Sequence, residues 1–247
     1  MMNGENPCTK IDDYKKVNSV KMKRLGIFGG TFNPIHFGHL RVAIEVQELF
    51  LLDQIFFIPS AQPPHKSSFH IANAIDRLKM IELAINTNSL FQASDIEINR
   101  KGLSYTIDTL KDFRNEYKEA EHIFYLIGWD AFLAIHTWKQ YLKLFDEMPF
   151  IVMSRPIDGK KEDFSTLIQN TLVHYVQQKI SKEYQLDKQN SCIKHQKKKS
   201  IYYCQVTSLD ISASNIRFLI ENSKSTRFLL PKSVEDYIHK NKIYRFK

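Results

Sequence analysis

The chain of 247 residues carries 35 Lys and Arg against 27 Asp and Glu, a formal charge of +8, and is 43% hydrophobic with 17 Phe and 11 Tyr. That apolar content can fill a large core and excludes a wholly disordered chain, while eight Gly and eight Pro exclude collagen-like and low-complexity classes. The longest apolar runs, Leu49 to Leu52 and Ile55 to Pro59, fall far short of the ~20 residues of a membrane helix, so a soluble globular protein is expected.

Residues 1–21 are polar and mixed in charge, without the apolar stretch of a signal peptide, and read as a disordered tail ahead of one domain spanning 22–247. Met22, just before the first strand-like run, is an alternative start. Leu25-Gly-Ile-Phe-Gly29 predicts a short strand. From Leu40 to Leu52, Val42, Ala43, Val46, Leu49 and Phe50 share one face and Arg41, Glu45 and Glu48 the other, which is helical spacing. Gln54 to Ser60 reads as a fully buried strand, completing a βαβ unit with a right-handed crossover. The alternation continues with a helix from Asp76 to Asn86, a strand from Phe91 to Ile98, a helix from Thr106 to Tyr117 and strands at His122 to Gly128 and Phe150 to Ser154. A late strand at Ile201 to Val206 precedes helices at Ser214 to Asn222 and Val234 to Asn241. These elements predict a Rossmann-like α/β domain: a mostly parallel sheet with helices on both faces and a small helical C-terminal region.

Lys179 to Lys199 holds seven lysines against Glu183 and Asp187, five of the eight net charges. A solvated basic insertion is the expectation, with RNA or lipid contact as the alternative. The run lacks the aromatic platform or clustered arginines of an RNA site, so nucleic acid is disfavoured. Cys8, Cys192 and Cys204, odd in number and widely spaced, argue against a disulfide framework and for a reducing, cytoplasmic setting.

In doubly wound sheets ligands bind beyond the carboxyl ends of the strands, so the residues after each strand carry the functional expectations. After the first comes Gly29-Gly30-Thr31-Phe32-Asn33-Pro34-Ile35-His36-Phe37-Gly38-His39. The glycines permit a tight turn and close approach to a ligand, and Gly38 and His39 fall where a helix N-terminus favours an anion. His36 and His39 can donate hydrogen bonds to phosphate oxygens. A G-x-G-x-x-G fingerprint and a Walker lysine motif are absent. Metal ligation by the two histidines, three residues apart with no Cys or carboxylate beside them, is a poor fit.

Pro63-Pro64-His65-Lys66 follows the second strand and offers a flexible cation at Lys66. Arg77 forms either an ion pair on its helix or a ligand contact. Gly102 to Leu110 reads as a loop with a helix cap. Gly128 permits nucleotide approach, and Asp130 either accepts ribose hydroxyls or caps a helix. Trp138 packs in the core or stacks on a ligand ring. Ser212, Ser214 and Arg217 stand at another helix start, where N–H groups and a guanidinium suit phosphate.

The stretch G-G-T-F-N-P-I-H-F-G-H resembles the H-x-G-H signature of the nucleotidylyltransferase superfamily and, within it, the bacterial nicotinate-nucleotide adenylyltransferases. P-P-H-K, S-Y-T-I-D-T-L over 104–110, I-G-W-D over 127–130, T-W at 137–138 and I-S-A-S-N-I-R over 211–217 extend the resemblance from Lys23 to near the C-terminus. It implies adenylyl transfer from ATP to nicotinate mononucleotide, giving deamido-NAD and pyrophosphate in NAD biosynthesis, with Mg²⁺ carried on ATP and no dedicated metal ligands. It implies His36, His39 and Arg217 as catalytic. ATP would be held by these three with Gly29, Gly30, Thr31, Phe32, Gly38, Gly128, Asp130, Arg155, Ser212 and Ser214. Nicotinate mononucleotide would be held by Thr31, Phe32, Asn33, Lys66, Tyr105, Thr106 and Trp138. Two departures stand out: Ile157 interrupts the usual R-P-G after Arg155, and Ala213 and Ser214 replace a serine and a threonine. No membrane partner is implied, and a homo-oligomer is left open.

Overall fold

The alternation of apolar residues along the first strands sends neighbours to opposite faces, and both faces are covered. The computed structural model describes residues 23–62, 71–100, 102–154 and 164–245; the expected N-terminal tail, Lys66 and Arg155 lie outside them. Strand β1 (Arg24–Gly30) leads into α1 (Phe37–Phe50), β2 (Gln54–Pro59), α2 (Ala74–Ile85) and β3 (Phe91–Ala93). Two helices, α3 (Ile96–Asn99) and α4 (Thr106–Glu116), precede β4 (His122–Gly128), which runs straight into α5 (Trp129–Leu133). A 3₁₀ turn and α6 (Tyr141–Glu147) lead to β5 (Phe150–Ser154). Then come α7 (Phe164–Leu167), a π-helical stretch (Ile168–Val173) and α8 (His174–Lys179). The chain ends with β6 (Gln185–Asp187), β7 (Cys192–Lys194), β8 (Ile201–Gln205), α9 (Ala213–Glu221) and α10 (Lys232–Lys240).

The eight strands form one sheet in the order β3-β2-β1-β4-β5-β8-β7-β6. The first six in that row pair in parallel, and β6 and β7 add an antiparallel edge. The order reverses between β1 and β4, which is where such a sheet opens a ligand crevice. Ile27, Phe56, Tyr125 and Ile127 point to the face covered by α4, α6 and the helical run from 164. Phe28, Phe57, Phe124 and Leu126 point to the other, where Val46, Met80, Ile216 and Val234 bring in α1, α2, α9 and α10. The C-terminal helices are therefore a second layer over the same face as α1 and α2, with the Tyr237 hydroxyl bonded to Asp76 (2.9 Å).

Two elements differ from the sequence expectation. The strand predicted from Phe91 to Ile98 stops at Ala93. Its last tie to β2 is the Ser94 N–H to the Phe57 carbonyl, and the Asp95 carbonyl then accepts the Ile98 and Asn99 N–H groups to open α3. Phe91 and Ala93, then Ile96 and Ile98, each alternate as a strand would, but the two pairs are out of phase across Ser94-Asp95, where the chain turns. The lysine-rich stretch supplies β6 and β7, with Tyr184, Cys192 and Ile193 buried while six of its seven lysines are exposed. Lys194 pairs with Asp187 (2.5 Å) and Lys198 with Asp146 (2.5 Å), so part of its charge is tied to the sheet edge.

Candidate active site

The segment after β1 turns sharply around buried side chains. Phe32 adopts φ +46°, a left-handed conformation that costs a non-glycine residue roughly 1–2 kcal/mol. Packing holds it there: its ring meets Phe28 (5.6 Å between centroids) and His39 (5.1 Å), and it is 3% exposed. The Asn33 side-chain oxygen accepts the Ala72 N–H (3.0 Å) and the Tyr244 hydroxyl (2.8 Å), fastening the loop to both the segment leading into α2 and the C-terminal segment.

Arg77 resolves differently from either sequence reading. It is 1% exposed and donates to the carbonyls of Thr31 (2.8 Å), Ser60 (2.6 Å) and Ala72 (2.9 Å). It thus ties the loops after β1 and β2 together as a scaffold, and burial pushes its guanidinium below the usual arginine value.

His36 is the N-cap of α1, and its backbone N–H donates to His39 Nδ1 (3.3 Å). With Nδ1 accepting, the neutral His39 ring carries its proton on Nε2. The two rings lie 3.8 Å apart between centroids, at 33°. Gly38 makes this possible, because a Cβ there would stand 3.0 Å from the His36 ring. The same built Cβ would lie 3.7 Å from the Ile211 carbonyl, so the start of α9 abuts the start of α1. Ser212 caps α9 by accepting the Asn215 N–H (3.1 Å). From the first turns of α9, Arg217 donates to the Asn33 carbonyl (2.8 Å) and to the Ser214 hydroxyl (3.3 Å). Two helix N-termini, two imidazoles and a guanidinium thus share one corner beyond β1.

Beside this corner a cleft of roughly 360 Å³ opens over the switch point. Gly29, Gly30 and Thr31 from the end of β1, Gly128 from β4, Tyr105 and Thr106 from the start of α4, and Trp138 line it. Gly29 is required by contact, since a Cβ would meet the Tyr125 hydroxyl at 2.6 Å. Tyr125 is buried and hydrogen-bonded to the Thr106 side chain, and burial pushes its phenol up. Trp138 is half-buried and meets Tyr125 edge-on at 6.4 Å. Asp130 is exposed in the first turn of α5, just past Gly128 and outside the cleft lining.

Several lining residues escaped the sequence reading: Ser60, Glu97, Tyr125 and Lys139. Ser60 follows β2 and was open to the strand-end rule. Glu97 was hidden by reading its segment as strand, and Tyr125 by its place in an apolar run. Lys139 Nζ stands 3.3 Å from Asp108 and 4.2 Å from the Tyr105 ring centroid. Among the described residues no group of three or more His, Cys, Asp or Glu is arranged to hold a metal ion, and no helix is long and apolar enough to cross a membrane.

A doubly wound sheet whose switch point is flanked by an H-x-G-H helix start and a second, arginine-bearing helix start is the architecture of a nucleotidylyltransferase. The cytidylyltransferase-like family model matches residues 27–218. A protein of Desulfatibacillum aliphaticivorans named a probable nicotinate-nucleotide adenylyltransferase is 43% identical over 223 residues, covering 90% of this chain and 99% of that protein. One of the same name from Geobacter sp. (strain M21) is 39% identical over 221 residues, covering 90% and 98%. The chain belongs to the cytidylyltransferase-like family, and within it to the nicotinate-nucleotide adenylyltransferases. The fold is shared with the Plasmodium falciparum nicotinic acid mononucleotide adenylyltransferase solved with NaAD, at TM-score 0.66 and 22% identity, covering 91% of this chain and 98% of that one.

Proposed function

We propose that this chain transfers the adenylyl group of ATP to nicotinate mononucleotide, giving deamido-NAD and pyrophosphate, as a step of NAD biosynthesis. The single observation that carries the reading is the shared corner: Arg217 reaches the Asn33 carbonyl at 2.8 Å, three residues before His36. The family membership and the relatives' names support the same reaction.

A phosphate oxygen of the acceptor attacks the α-phosphorus of ATP in line; the new P–O bond forms as the bond to the β-phosphate oxygen breaks, and pyrophosphate leaves with that electron pair. The nucleophile is already anionic, so the protein's task is positioning and charge stabilisation. His39, through Nε2–H, and His36 donate to the α-phosphoryl oxygens. Arg217, Ser212, Ser214 and the N–H groups opening α9 hold the departing pyrophosphate. Arg155 adds charge on the ATP side, and Lys66 orients the acceptor phosphate. Gly29, Gly30, Thr31, Phe32 and Gly38 shape the backbone against ATP, while Gly128 admits the adenosine and Asp130 accepts its ribose hydroxyls.

On the acceptor side, Trp138 stacks on the pyridine ring, and Tyr105 and Thr106 meet its carboxylate beside the Lys139 cation. Thr31 and Phe32 shape the wall, with Asn33 fixing the loop behind them. Mg²⁺ bound to the ATP phosphates would neutralise their charge; this corner offers imidazoles, N–H groups and a guanidinium rather than a cluster of carboxylates, which fits an ion held by phosphate and water rather than by a protein cage. The odd number and wide spacing of the cysteines support a reducing cytoplasmic setting.

Pyrophosphate release from ATP, measured with nicotinate mononucleotide, nicotinamide mononucleotide and phosphopantetheine as acceptors, tests the proposal. Turnover with the first well above the other two is expected. Turnover with phosphopantetheine alone would overturn it.

A further inference from the structure

Glu97 is 8% exposed, lines the cleft, and is not used by the mechanism above. Its Oε1 accepts the Thr109 hydroxyl (2.6 Å), which in turn accepts from Arg100 (3.0 Å). Its Oε2 is buried with no hydrogen-bond partner among the described residues. Burying half of a carboxylate without a partner is costly, and a fold retains such a group where something else compensates it. Arg77 lies within electrostatic reach and offsets part of this charge, but its donors are committed to carbonyls, so it gives Oε2 no hydrogen bond.

The rest of the wall has a matching character. Three aromatic residues, Tyr105, Tyr125 and Trp138, line the same cleft as this carboxylate. Lys139 also lines it, with its Nζ over the Tyr105 ring and beside Asp108, so the Tyr125 and Trp138 rings and the Glu97 carboxylate are what remain to meet a second cation. The base of a pyridine mononucleotide is such a cation, because ribosylation leaves a formal positive charge on the ring nitrogen.

We propose that the Glu97 carboxylate is the counter-charge for the pyridinium ring of the acceptor, so that the cleft selects the charged ring over a neutral ring of the same size. The inference rests on the proposed reaction and adds a determinant of acceptor choice. Oε2 need not be touched, because a charge in a low-dielectric wall acts on a ring in the cleft it lines. Thr109 holds the carboxylate in place.

The test compares nicotinate mononucleotide with its 1,4-dihydro form, whose ring is neutral, as acceptors for the wild type, Glu97→Gln and Thr109→Val. Gln keeps the shape and removes the charge, whereas Val cuts the hydrogen bond and keeps the charge. In Glu97→Gln, kcat/KM for the oxidised acceptor falls at least about tenfold more than for the dihydro acceptor, with KM for ATP unchanged. Thr109→Val lowers both acceptors by a common factor. Equal losses for the two acceptors in Glu97→Gln, or a selective loss in Thr109→Val, would overturn the proposal. A wild type inert toward the oxidised acceptor would overturn the reaction itself, and this inference with it.

Discussion

At the scale of single residues, the corner beyond β1 is built by contacts that leave little tolerance. His39 has its Nδ1 engaged by the His36 backbone, so Nε2–H is the donor it can present to a phosphate. If that donor acts in the transition state, His39→Ala lowers kcat by about 10²–10³ while KM for ATP moves little. Steady-state kinetics with ATP and nicotinate mononucleotide check this, and an unchanged kcat with a raised KM would contradict it. Gly29 faces a different constraint, the Tyr125 hydroxyl 2.6 Å from any Cβ. Gly29→Ala costs about 1–3 kcal/mol in denaturant unfolding and raises KM for the acceptor, because the phenol must leave Thr106. Wild-type stability in that variant would remove the argument.

At the scale of elements, helix ends and the sheet edge carry the testable features. Helix α1 ends at Leu51 with φ +49°, a conformation that favours glycine, and the side chain is 57% exposed. Leu51→Gly therefore loses little packing and relieves strain, raising stability by about 0.5–1 kcal/mol in a denaturant melt. At the far edge, Lys194 and Asn190 hold the Asp187 carboxyl down to about 2. A carboxyl depressed by folding contributes stability above its unfolded value near 4 and loses it as pH falls toward 2. Protection factors in β6 and β7, corrected for intrinsic exchange, accordingly fall across that acid window, and Asp187→Asn shows raised exchange at neutral pH already. Exchange in Asp187→Asn matching the wild type at neutral pH would contradict the tie.

Most elements were legible because period-2 and helical patterns are local. The turn at Ser94-Asp95 was not: β3 leaves the sheet opposite Phe57 while β2 runs on to Pro59, and that is a tertiary fact. Losing α3 also hid Glu97. Burial of Arg77 was likewise invisible, because its carbonyl partners come from two separate loops, one after β1 and one between β2 and α2.

At the scale of the molecule, the order of strands places every glycine-rich strand end at one crevice, and the C-terminal helices return to close it. The motifs from Gly29 to Arg217 were readable as types; that α9 abuts α1 could only come from the fold. A net charge of +8 favours encounter with polyphosphates, so kcat/KM for ATP falls as salt rises from low values to about 0.15 M, where screening acts over about 8 Å. A salt-independent kcat/KM would show that the charge plays no part in encounter.

The most direct measurement is a crystal structure of the full chain with a non-hydrolysable ATP analogue. His39 Nε2 and an Arg217 guanidinium nitrogen should each lie within about 3.2 Å of oxygens of the same triphosphate. A triphosphate bound elsewhere, or touching only one of the two, would contradict the account.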